Sequence, residues 1–122
     1  MSALDTARTA VRHGLLVCAL LALTACVHGP KSIYQWGSYQ DQVYSHLKGD
    51  DPLRQIDALE KDLQVALAAD RPVPPGMHMH MAMLYAETGD GVKARESLLI
   101  EKARYPESAT YVDFLIKNLD QQ

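Results

Sequence analysis

The chain has 122 residues, 48% of them hydrophobic and 22% charged, with a formal net charge of −3. That length allows one small domain with a single core. A mildly acidic chain without a basic run is a poor match for nucleic acid or for anionic lipid surfaces.

Arg8 and Arg12 precede an apolar run from Gly14 to Leu23, and Leu23-Thr24-Ala25-Cys26 closes it. The basic flank favours the cytoplasmic side of a membrane. The run is shorter than the roughly 20 apolar residues a spanning helix needs. A basic stretch, an apolar stretch and small residues in that order predict a signal peptide. The pattern resembles the lipobox of Gram-negative lipoproteins, with Leu23, Thr24 and Ala25 ahead of an acylated Cys26. The resemblance implies cleavage before Cys26, a diacylglycerol on its sulfur and a further acyl chain such as palmitate on its freed amine. Two or more chains give stable anchoring. Val27, rather than aspartate, follows the cysteine. By resemblance to the sorting rule of enteric lipoproteins, this implies the outer membrane, facing the periplasm.

Of the two cysteines, Cys18 leaves with the signal and Cys26 carries lipid, so the mature chain is expected to hold no free thiol and no disulfide. Residues 1–25 carry Asp5, Arg8 and Arg12, which leaves 97 residues with a net charge of −4. The expected organisation is a signal over 1–25, a lipidated cysteine and tether over 26–37, and a helical domain over 38–122.

Gly29 and Pro30 lie in the short tether. Tyr34, Trp36, Tyr39 and Tyr44 follow. A helix is predicted from Ser38, as N-cap, to Lys48, with Tyr39, Val43 and Leu47 on one face. Rings at helical spacing read as packing residues of that helix. Trp36 is the ring expected at the surface, where tryptophan supplies interface energy. Asp51 and Pro52 open the next helix, predicted to run to Ala69. Leu53, Ile56, Leu63 and Leu67 form its predicted apolar face, widened by Leu59 and Ala66. Asp57 and Lys61 pair on the wet side. Pro72, Pro74 and Pro75 then stiffen a spacer.

Met77 to Thr88 and Gly91 to Arg104 read as a helix pair turning at Gly89-Asp90. The pair resembles a tetratricopeptide repeat, with Tyr85, Gly89, Ala94, Leu98 and Pro106 at the repeat's signature positions. Met81 and Ala82 replace its leucine-glycine pair. Glu101 stands where the repeat has alanine. A carboxylate at a close-packed position is costly unless paired, so Glu101 requires a partner or a tilt of its helix. A final helix is predicted over Glu107 to Leu119, with Tyr111, Phe114, Leu115 and Leu119 packing on the pair as a cap. Tyr44 and Gly49 echo a repeat in the first two helices, a reading the spacing leaves open.

Met77-His78-Met79-His80-Met81 offers copper-type ligands. On a helix His78 and His80 diverge, so a site needs Met77 or His78 with Met81. Methionines at this spacing also serve as adaptable core fillers. No nucleophile, histidine and carboxylate form a recognisable motif, and the seven glycines make no phosphate loop, so no enzyme is predicted.

Tyr34, Trp36-Gly37, Tyr39, Tyr44, Pro74-Pro75-Gly76, Leu84-Tyr85, Gly89, Ala94, Glu101-Lys102 and Pro106-Glu107-Ser108 together resemble the small Gram-negative lipoproteins grouped as domain of unknown function 4810. The resemblance implies a helical, lipid-anchored protein. Genes of that family often lie beside those of a curli-secretion-channel-like lipoprotein and another small lipoprotein, which implies an accessory subunit of an envelope assembly.

The expected fold is therefore all-α, with tetratricopeptide-like hairpins and about five helices after a cleaved lipoprotein signal. The expected role is a non-catalytic interaction subunit. Its partners are the membrane, through the lipid anchor, and other envelope lipoproteins. No nucleic acid, small-molecule substrate or cofactor is indicated. The expected partner surface includes Tyr34, Trp36, His78, Tyr85 and Glu101. The alternatives are a periplasmic copper-handling protein using Met77, His78 and Met81, or a structural lipoprotein bound to the cell wall.

Overall fold

The computed structural model describes residues 3–23 and 31–121. The lipobox residues Thr24, Ala25 and Cys26, together with Val27, Gly29 and Pro30, lie outside the described residues. The chain divides into two units, one ending at Lys31 and one beginning at Ser32. The first contains α1 (Ala3–Leu23), a helix that exposes Val11, Leu15, Leu16 and Val17. No helix among the described residues is long and apolar enough to cross a membrane.

The second unit is all-α. It contains α2 (Tyr39–Leu47), α3 (Pro52–Ala68), α4 (Met77–Glu87), α5 (Gly91–Arg104), a 3-10 turn (Pro106–Ser108) and α6 (Ala109–Leu119). Each helix packs on the next in chain order, α4 with α5 most extensively. The helix starts follow local chemistry. The Asp51 side chain accepts from the Leu53 amide at 3.0 Å, with Pro52 in the first turn of α3. The Asp90 side chain accepts from the Lys93 amide at 3.0 Å and starts α5. α4 ends at Gly89, where the Asp90 amide donates to the Tyr85 carbonyl at 2.8 Å.

The core lies between α3, α4 and α5. Leu59, Met77 and Leu84 are fully enclosed, with Ile56, Ala66, Met81 and Tyr85 around them. Each large side chain so buried stabilises the fold by about 1.5–3 kcal/mol. A smaller cluster of Ala82, Leu98 and Val112 seats α6 on the α4–α5 pair. α4 is buried on most of its circumference, as a helix apolar all round must be.

Three expectations about faces are corrected, and one cap is refined. Ser38 stands at the N-cap of α2 as expected, its carbonyl accepting from the Gln42 amide at 3.0 Å, but its side chain makes no capping bond; its amide and hydroxyl both donate to Asp62 Oδ2, each at 2.7 Å. α2 buries no residue completely, and Leu47 is 78% exposed instead of sharing a packed face with Tyr39 and Val43. On α3 the buried side runs through Gln55, Ile56, Leu59 and Ala66, while Leu53 and Leu67 face solvent. Gln55 sits inward because its Nε2 donates to the Asp50 carbonyl at 2.9 Å, pinning the α2–α3 turn. On α6, Val112 is the buried anchor, and Tyr111 and Phe114 stack outside with centroids 6.3 Å apart.

Candidate interaction groove

Before α2 the chain bends at residues 33–34 and is held by Arg71. The guanidinium donates to Gln35 Oε1 at 2.9 Å, to the Ser32 carbonyl at 2.6 Å and to the Tyr34 carbonyl at 3.0 Å. The Gln35 amide donates to the Pro72 carbonyl at 2.8 Å. This clasp aligns a row of rings. Tyr34 meets Tyr105 and Trp36 edge-on, each at 6.4 Å between centroids, and Trp36 stacks on Tyr39 at 6.3 Å. The row continues through His80, 5.9 Å from Tyr39, to His46, 5.6 Å from His80. It joins α2 to α4 by ring edges, which explains how a helix with no fully buried residue is positioned.

Below the row lies Glu101. It is 1% exposed, and its Oε1 accepts from the Gly76 amide at 2.6 Å. Gly76 precedes α4 with φ +89°, and a Cβ there would sit 3.1 Å from the Tyr39 hydroxyl. Both facts favour glycine at this corner. The partner that Glu101 requires is thus a backbone amide at the end of the proline-rich loop. Burial, then the Glu101 charge, raises the Tyr39 pKa. Burial likewise raises that of Tyr105, whose hydroxyl donates to the Val73 carbonyl.

Tyr39, Met79, His80, Met83, Tyr111 and Leu115 line a groove of about 340 Å3. Met79, Met83 and Leu115 carry it on into a recess of about 180 Å3 against Leu98 and Leu119. Met83 is 42% exposed at the junction. His80 Nε2 is buried there with no partner among the described residues, and burial, then His46, lowers its pKa. The groove offers adaptable thioethers, aromatic edges and one neutral imidazole. Such a lining accommodates an apolar side-chain row.

The predicted partner residues divide. Trp36 is at the surface, 38% exposed, and Tyr34 is half-buried beside it. His78, Tyr85 and Glu101 are buried; Tyr85 and Glu101 are engaged in internal hydrogen bonds, and His78 lines a separate recess beside α3 and α5. Tyr85 donates to Glu60 Oε1 at 2.6 Å, and Lys93 lies 5.2 Å over its ring. Burial first, then that hydrogen bond, raises the Tyr85 pKa. Met77 and Met81 fill the core. Among the described residues no three histidine, cysteine, aspartate or glutamate side chains gather as a metal site. Of the groove's own residues, Tyr111 and Leu115 were signalled as part of the α6 stripe, and Met79 and Met83 only by their i, i+4 spacing, on a different side of α4 from Met77 and Met81.

A family model described as domain of unknown function 4810 (DUF4810) matches residues 33–115. The chain belongs to this family. No curated protein and no solved structure matches it. The DUF4810 match begins within the Arg71 clasp and ends at Leu115, so it contains the ring row, the Glu101–Gly76 contact and most of the groove.

Proposed function

We propose that this DUF4810 protein is a lipid-anchored, non-catalytic adaptor of a bacterial envelope assembly. In this reading Cys26 carries the lipid, and the helices act as tetratricopeptide-like hairpins that hold an apolar helix or peptide of a neighbouring lipoprotein. The observation that carries it is the methionine-lined groove between α2, α4 and α6, with Tyr111 and Phe114 exposed at its edge. Solvent-facing methionine and aromatic side chains in one groove suit a partner with apolar anchors. Anchoring in the same membrane raises the effective concentration of such a partner. A curli-secretion-channel-like lipoprotein is the first partner to test.

The experiment is affinity purification from cross-linked envelopes with wild type, Cys26→Ser and Met83→Asp. Enrichment of one lipoprotein with wild type, lost in both variants, is the expected result. Equal enrichment with Met83→Asp refutes the groove, and unchanged membrane retention of Cys26→Ser refutes the anchor.

A further inference from the structure

A second recess shares no lining residue with the methionine groove. It encloses about 400 Å3 beside the C-terminal half of α3, the loop at 70–73 and α5. Small-molecule pockets span about 300–1,000 Å3. Leu63, Leu67, Val73 and Ile100 form apolar walls, and His78, Arg71, Arg104 and Asp70 supply the polar groups.

His78 is the built part of this site. It is 6% exposed and lines the recess, its ring makes no hydrogen bond to another described residue, and its ring nitrogens are not sealed from solvent, so they can be reached from the recess. A reachable imidazole without a protein partner is available to a ligand in the recess. Burial, then the Arg104 charge, lowers its pKa to about 4. The neutral ring therefore offers one N–H donor to a ligand.

The charges favour an anion. Arg104 forms no ion pair among the described residues. Arg71 donates only to neutral oxygens of Ser32, Tyr34 and Gln35, so its charge is not cancelled there. Asp70 is the one carboxylate in the lining, against two guanidinium groups. The walls favour an alkyl chain. An inorganic anion alone leaves Leu63, Ile100 and the 81% exposed Leu67 wet.

We propose that this recess binds a single-chain anionic amphiphile, with its carboxylate or phosphate head at Arg104 and His78 and its alkyl chain over Leu63, Leu67 and Ile100. The shared chemistry is an oxyanion head on one alkyl chain, whether a free fatty acid or a lipid phosphate supplies it. Neither the groove nor the adaptor reading is needed for it.

The test is calorimetric titration of the full-length protein with decanoate, decyl phosphate, decanol, acetate and inorganic phosphate, alongside the nuclear magnetic resonance signals of the His78 ring. Decanoate or decyl phosphate is expected to bind at least about tenfold more tightly than the other three, because a charge-assisted contact and an apolar contact are both required. The tighter of the two anions identifies the source of the head group. The His78 ring signals are expected to shift with bound ligand. Arg104→Gln, at an exposed position, is expected to weaken binding about tenfold and to remove the preference for decanoate over decanol. Circular dichroism checks that this variant is folded. Equal affinity for decanol, unchanged affinity in Arg104→Gln, unmoved His78 signals or no binding of either amphiphile overturns the proposal.

Discussion

Lowering the pH tests the burial of His78 directly. An ordinary histidine titrates near 6.5, and burial with the Arg104 charge brings His78 to about 4. As pH falls through 6.5 the unfolded chain takes up the proton and the folded chain does not. The stability linked to this group is therefore complete above about pH 6.5, declines below it and levels off near the folded value. A gap of about 2.5 pH units at 1.36 kcal/mol each gives about 3 kcal/mol. Burial also lowers the pKa of His80, so the readout is a difference. Urea unfolding of wild type and His78→Gln is followed by the fluorescence of Trp36, the single tryptophan. Between about pH 7 and pH 4 the wild type is expected to lose about 3 kcal/mol more stability than the variant. Arg104, Arg71 and Asp70 share the recess and are unchanged in both proteins. Parallel stability curves refute the reasoning.

Glu101→Ala leaves the Gly76 amide without its 2.6 Å acceptor, and a loss of about 2–3 kcal/mol is expected, against less than about 1 kcal/mol for Glu101→Gln, which keeps an acceptor oxygen. Denaturant unfolding of both variants measures this, and equal losses contradict it. Gly37→Ala forces φ +50° on a residue with a Cβ and drives that Cβ into the Asp62 carboxylate that Ser38 holds. A loss of about 1–3 kcal/mol is expected, read as a lower thermal midpoint, and an unchanged midpoint contradicts it.

Helix limits were legible because punctuation is local. Asp51-Pro52 and Asp90 start helices with their own side chains or rings, and Gly89 stops one with its own backbone. Faces were less legible because α3 carries leucines on several sides. Leu53, Leu59, Leu63 and Leu67 do not by themselves decide which way the helix is turned. Gln55 also turns inward, with its Nε2 bonded to the Asp50 carbonyl and its Oε1 buried without a partner among the described residues, which no apolar pattern announces. On α6, Tyr111 and Phe114 were assigned inward by the apolar stripe they make with Leu115 and Leu119, but the small Val112 fits the space between α4 and α5. Glu101 showed that a partner was needed without showing which, because Gly76 lies 25 residues away. His78 was visible as a chemical type, yet neither its burial nor the recess beside Arg104 follows from spacing along one helix.

The Arg71 clasp also has a mechanical meaning. A pull on the chain at Lys31 reaches Ser32, Tyr34 and Gln35 before it reaches Tyr39. Those residues are bracketed to Arg71 and Pro72, far along the sequence. The load passes into the middle of the fold, and the bracket must yield before α2 is tugged. The wall that Tyr39 lends to the groove is thereby insulated from tension applied at Lys31.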